Sequence, residues 1–252
     1  MGKPARMGIC RLCGNYKEMT PEHIPPKAAF NRSGVLVETL DDFIRGYRPH
    51  KFRQGMNKKS LCSSCNSATG DWYAPSLIAW CYQGLSWVER SQGILYLPYF
   101  VQPLNVIKQI LVMSVALLPE NKTVIQHHEE LRYCLLRRED KYIPPQYKVY
   151  VYLNVAGKPR LASNVAVTNL NAGVTPTFVM AEFAMTPFGY CVTIESGRRK
   201  SLPRFQQLSE ITWFANFDYD EYRNLELRLT ARETHEPFPL DYRSSVDIER
   251  QS

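Results

Sequence analysis

Four cysteines in two pairs, Cys10/Cys13 and Cys62/Cys65, are the residues of this 252-residue chain whose spacing most directly implies chemistry. Two cysteines separated by two residues turn their sulfurs toward one point, and four thiolates about 2.3 Å from a shared ion make a tetrahedral zinc site. Between the pairs lies Thr20-Pro21-Glu22-His23-Ile24-Pro25-Pro26, which sets a carboxylate beside an imidazole. An imidazole exchanges protons near neutral pH, and a carboxylate is a hard oxygen ligand for a divalent cation. Two amides complete the set: Asn57, five residues before Cys62, and Asn66, directly after Cys65.

The local sequence also says how these groups are held. Gly14 supplies the permissive backbone of a tight turn after Cys13. Pro21, Pro25 and Pro26 exclude helix and bias their neighbours toward extended geometry, which puts His23 on a stiff segment. A short helix is expected to begin at Asn66 and to be shortened or bent at Gly70, with Pro75 starting the next one over residues 75–91. Residues 27–56 form a long connection in which Val35-Leu36-Val37 suits a strand and Leu40 to Ile44 a helical turn.

This layout resembles the zinc-knuckle branch of the His-Asn-His (HNH) endonucleases, over roughly residues 9–72. The resemblance implies a ββα-metal module in which His23 is the general base, Glu22 and Asn66 hold a catalytic Mg²⁺ or Mn²⁺, and Asn57 orients His23. It implies a structural Zn²⁺ on Cys10, Cys13, Cys62 and Cys65, and double-stranded DNA as the partner. Two departures from the commoner pattern stand out: Glu22 replaces Asp, and Asn66 replaces a final His. The second should favour Mg²⁺ over softer metals.

Charge points to the same region. Residues 1–70 hold twelve Lys and Arg against five Asp and Glu, so they carry the whole formal excess of +7. From Arg45 to Lys59 the chain runs Arg45, Arg48, Lys51, Arg53, Lys58 and Lys59 without an acidic residue, with Tyr47, His50 and Phe52 interleaved. Such a run neutralises phosphates and offers rings to sugars or bases.

The remainder reads as α+β: a helical segment followed by an antiparallel, β-rich C-terminal domain. The expected division is a nuclease module over 1–75 and a second domain over 76–252. Leu104 to Leu118 is an apolar helix too short for the about 20 residues of a membrane span. A helix from Thr123 to Arg138 carries His127-His128-Glu129-Glu130, which reads as a solvated polar face. Strands are expected at Tyr147 to Leu153, Asn164 to Thr168, Thr177 to Met185, Tyr190 to Ile194, Ile211 to Phe217 and Leu225 to Thr230. The aromatic stretch Pro237 to Tyr242 is expected to pack on the sheet, ahead of a loose tail.

No phosphate-binding glycine loop or nucleophile elbow occurs in 76–252, which leaves that region for a homo-oligomer contact or a protein partner. The polar N-terminus and the odd count of seven cysteines lead to the expectation of a cytoplasmic protein, in which Cys-x-x-Cys pairs read as metal ligands. By gene-class analogy the arrangement suits bacterial or phage defence. The reading from a different class is a zinc-stapled nucleic-acid-binding module without catalysis.

Overall fold

The computed structural model describes residues 6–37, 50–88, 94–154, 159–167, 177–195 and 208–232. Strands β1 (Met7–Ile9), β2 (Tyr16–His23) and β5 (Asn57–Cys62) form a three-stranded antiparallel sheet in the order β1-β2-β5. The insertion between β2 and β5 closes as its own antiparallel ribbon, β3 (Val35–Val37) against β4 (His50–Phe52). The turn expected at Leu40 to Ile44 lies outside the described residues, as do Arg45, Tyr47, Arg48 and the aromatic tail at 237–242.

Helix α1 (Ser63–Val88) leaves directly from the end of β5. Two helices parted at Pro75 were expected, and one continuous helix is found. A proline inside a helix costs about 3 kcal/mol. That cost is offset by a buried face that runs through it, formed by Cys65, Thr69, Tyr73, Leu77, Trp80 and Cys81.

Helix α2 (Pro103–Ala116) is buried along its whole length, in line with its apolar sequence. It packs on α1, on β2 and β5 of the small sheet, and on β9 (Thr177–Met185) and β10 (Phe188–Ile194) of a larger one. Its one charged residue, Lys108, is fully buried and donates to the carbonyls of Cys134, Arg137 and Arg138 at 3.2, 2.6 and 3.1 Å. Those oxygens are at and just beyond the end of α4 (Glu129–Leu135), where a helix leaves carbonyls unpaired.

The expected helix over 123–138 is instead two short ones, α3 (Lys122–His127) and α4. His127, Glu129 and Glu130 are exposed, but His128 at the break is buried, its Nδ1 2.7 Å from the Tyr147 hydroxyl. The solvated reading therefore fails at His128.

The larger sheet runs β6 (Ile94–Val101), β12 (Arg223–Arg232), β7 (Tyr147–Asn154), β10, β9, β8 (Arg160–Val167), with β11 (Ser209–Glu210) also on β7. Pairing is antiparallel except where β12 meets β7 at Ala231 and Arg232. The expected strand over 211–217 is a 3₁₀ helix, Thr212–Asn216. The spacing of the buried residues in and just before it, Ile211, Phe214 and Ala215, is helical rather than alternating. Strand β6 was not anticipated; buried Leu97, Tyr99 and Val101 alternate there with exposed Tyr96 and Phe100, and Pro98 sits on an edge strand that tolerates it.

One buried apolar cluster joins Cys10, Leu12, Leu61 and Cys65 to Leu104, Ile107, Val149 and Phe183. Both that cluster and α1 run across the boundary expected at residue 75. No helix among the described residues is long and apolar enough to cross a membrane.

Candidate metal centre and adjoining polar site

The sulfurs of Cys10, Cys13, Cys62 and Cys65 all lie within 4.8 Å of one another. Cys10 and Cys13 come from the turn after β1, closed by hydrogen bonds from Gly14 N to Cys10 O (2.8 Å) and from Cys10 N to Asn15 O (2.9 Å). Gly14 has φ +78°, the left-handed conformation that glycine adopts most easily. Cys62 ends β5 and Cys65 stands in the first turn of α1, so the strand-to-helix junction delivers the second pair.

Tetrahedral bonds of about 2.3 Å imply sulfur–sulfur edges of about 3.8 Å. The Cys13–Cys62 separation is 3.9 Å. The Cys10 thiol is drawn well below its ordinary value, chiefly by the hydrogen bond from Cys65 and further by backbone N–H groups, against the opposing effect of burial, and that same bond pushes Cys65 up. Cys62 N also donates to Cys10 Sγ at 3.3 Å. A thiolate held by N–H donors is ready to ligate a soft divalent ion, so the four residues could hold zinc.

On the opposite side the knuckle leans on α4. Arg132 Nε donates to Leu12 O at 2.7 Å and Nη1 to Ile125 O at 2.9 Å.

Beyond the cysteines, the β2–β5 register places Met19 opposite Cys62, Glu22 opposite Lys58 and His23 opposite Asn57. Asn66, one residue past Cys65, reaches back to the same strand: its Nδ2 donates to Thr20 Oγ1 at 3.1 Å and to Pro21 O at 3.2 Å. With the nitrogen committed to a carbonyl, Asn66 Oδ1 is the atom left for a cation or water. The backbone positions of Glu22, His23 and Asn57 thus lie together at one end of the β2–β5 ladder, and Asn66 is tied to β2 beside them.

Their environments differ. Glu22 is only 7% exposed, and burial pushes its carboxyl up to about 8. His23 is half-buried; burial chiefly, and the charge of Lys27 next, hold its pKa below the ordinary value, against a raising hydrogen bond with the Gln54 backbone. The imidazole is therefore neutral at pH 7, as a proton acceptor must be. The amide of Asn57, expected to orient His23, donates to Gly55 O at 3.0 Å.

The basic run divides. Lys51, Arg53 and Lys59 are exposed, whereas Lys58 Nζ donates to Leu117 O (2.7 Å) and Leu118 O (3.3 Å) just past the end of α2. Burial first, then the charges of Arg11 and Arg6, draw its pKa down to about 8. Lys58 is thus turned inward, away from the exposed side chains of the run. Arg45 and Arg48 lie outside the described residues.

Sequence reasoning did not single out Lys27, exposed near His23, or Asn31, fully buried beside the same loop. Lys27 was legible as a charge four residues after His23. Asn31 was not, because its main partner is 25 residues away in sequence.

No family model matches the chain, and neither a curated protein nor a solved structure matches it.

Proposed function

We propose that the chain is a metal-dependent endonuclease of the HNH type that hydrolyses DNA phosphodiester bonds, with a zinc-knuckle ββα module as its active part. The observation that carries this reading is the register of β2 and β5, which sets His23 opposite Asn57 while Asn66 is tied to Thr20 and Pro21. Few structural needs call for a half-buried imidazole, a buried carboxyl and an anchored amide at one strand-to-helix junction beside four clustered thiols.

In this reading Cys10, Cys13, Cys62 and Cys65 hold structural Zn²⁺, while Glu22 and Asn66 Oδ1 hold Mg²⁺ or Mn²⁺. A divalent cation held there would supply charge neutralisation to the phosphodiester and its departing oxygen. His23, neutral at pH 7, accepts the proton of the attacking water as its oxygen bonds to phosphorus and the bond to the 3′ oxygen breaks. Glu22 gives up its own proton to act as ligand, so cation binding is favoured by rising pH. Lys51, Arg53 and Lys59, all exposed, would meet backbone phosphates in this reading.

A second reading, a zinc-stapled nucleic-acid-binding module without catalysis, draws support from Asn57, whose amide serves Gly55 rather than His23. Incubating the purified chain with supercoiled plasmid and Mg²⁺ or Mn²⁺ separates the two. Conversion to open-circle or linear DNA that stops on removal of the divalent cation supports the nuclease; retardation without conversion supports the binding module.

A further inference from the structure

Asn31 is fully buried, and among the described residues every hydrogen bond of its side chain goes to the two segments that carry His23 and Asn57. Its Nδ2 donates to Pro25 O at 2.6 Å and to Met56 O at 2.9 Å, and its Oδ1 accepts from Met56 N at 2.7 Å. Both amide protons are used, and Met56 is gripped by its N–H and its carbonyl together, as a neighbouring strand would grip it. Met56 O also accepts from Ile24 N at 3.0 Å, so the ladder that ends at His23 and Asn57 is closed by Met56 and Asn31.

The fit continues one residue upstream. Gly55 has φ +79°, and a Cβ there would stand 2.0 Å from the Asn31 carbonyl oxygen and 2.5 Å from its Oδ1. Gly55 O accepts the Asn57 amide, and the Gln54 backbone lies close enough to the His23 ring to favour its protonated form. Residues 54 and 55 therefore act on both His23 and Asn57, and Asn31 holds residues 55 and 56.

We infer that Asn31 is a positioning residue: by holding Met56 and seating against Gly55 it sets the Gln54–Gly55 backbone that orients His23 and Asn57 for phosphodiester hydrolysis. Its catalytic half rests on the nuclease reading; its geometric half does not. A one-ångström misplacement of a reacting group costs about 10²-fold in rate, which sets the scale expected.

The test compares Asn31→Ala, and Asn31→Asp, which keeps the acceptor for Met56 N but cannot donate to Pro25 O or Met56 O, in the wild-type and His23→Ala backgrounds. For the folded variants kcat on plasmid should fall about 10- to 100-fold, with KM for DNA within about twofold and zinc content unchanged. On the His23→Ala background the same substitution should cost nothing further, since groups that act as a unit are not additive. A residue needed only for folding would lower activity by the same factor in both backgrounds, and that result, or wild-type kcat in either folded variant, overturns the assignment. Should the wild-type chain cleave nothing, the nuclease reading fails by itself. The His23 ring ¹H–¹⁵N signals then decide the geometric half: shifted in Asn31→Asp they support it, and unchanged they overturn it.

Discussion

Lys58 Nζ lies 2.7 Å from the carbonyl oxygen of Leu117, so the strand that faces Glu22 also ties off the buried helix α2. A cation at a helix C-terminus satisfies carbonyls that have no partner in the helix and interacts favourably with its dipole. Replacing Lys58 by Met keeps the length of the side chain and removes the donor. Stability should fall by about 1–3 kcal/mol, the range for a lost hydrogen bond to a charged group in a half-buried setting. Denaturant titration reads the loss, and a Lys58→Met chain as stable as wild type would contradict it.

DNA affinity should respond in the opposite pattern. The salt slope of binding should be unchanged in Lys58→Met and should drop when Lys51, Arg53 and Lys59 are replaced together, by up to about 0.9 for each phosphate contact removed. A slope that moves with Lys58 and not with the exposed three would mean that DNA approaches from another side.

Metal removal should be felt across the molecule. Cys10, Cys62 and Cys65 belong to the same buried cluster as Leu104 and Val149, and Arg132 of α4 holds the knuckle through Leu12. The purified chain should contain one zinc, and Cys62→Ser should lose it. Chelation should then lower a single unfolding transition by about 2–4 °C for each kcal/mol lost, since binding energy for structural zinc is folding energy. Two separate transitions, with only the first sensitive to chelator, would show that the knuckle and the large sheet fold apart.

Acid should destabilise the chain partly through His128. Burial first, then the charges of His127 and Arg132, depress its pKa from 6.5 to about 4. The folded state prefers the neutral ring, so this contribution is complete above pH 6.5 and is lost as pH falls toward and through 4. The gap corresponds to about 3 kcal/mol. His128→Phe should be less stable at pH 7, where the Tyr147 hydroxyl loses its partner, and should fall less steeply between pH 6.5 and 4. Parallel pH–stability curves for the two proteins would contradict this.

What the sequence showed plainly was local. The Cys-x-x-Cys pairs announce a shared point for four sulfurs, and the strand expected over Thr177–Met185 is found with those bounds. What it hid depended on partners far along the chain. Lys58 looks like one more basic residue until Leu117 is folded against it, 59 residues on. Asn31 looks like part of a turn until Met56 arrives. Pro75 looks like a helix boundary until the burial of Tyr73, Leu77 and Trp80 decides otherwise. The 3₁₀ helix at Thr212–Asn216 was misread because Ile211-Thr212-Trp213-Phe214 is as rich in β-formers as a strand, while Phe214 and Ala215 point into the core together.

The central claim is that His23 moves a proton during phosphodiester hydrolysis, and the most direct measurement is the single-turnover cleavage rate of His23→Ala on supercoiled plasmid at saturating Mg²⁺. Loss of a general base costs about 10² to 10⁴ in rate. The account predicts a loss of that size with zinc content, unfolding midpoint and DNA affinity close to wild type, because the side chain is half-buried and outside the cysteine cluster. Cleavage by His23→Ala at the wild-type rate, with the same cation dependence, would contradict it.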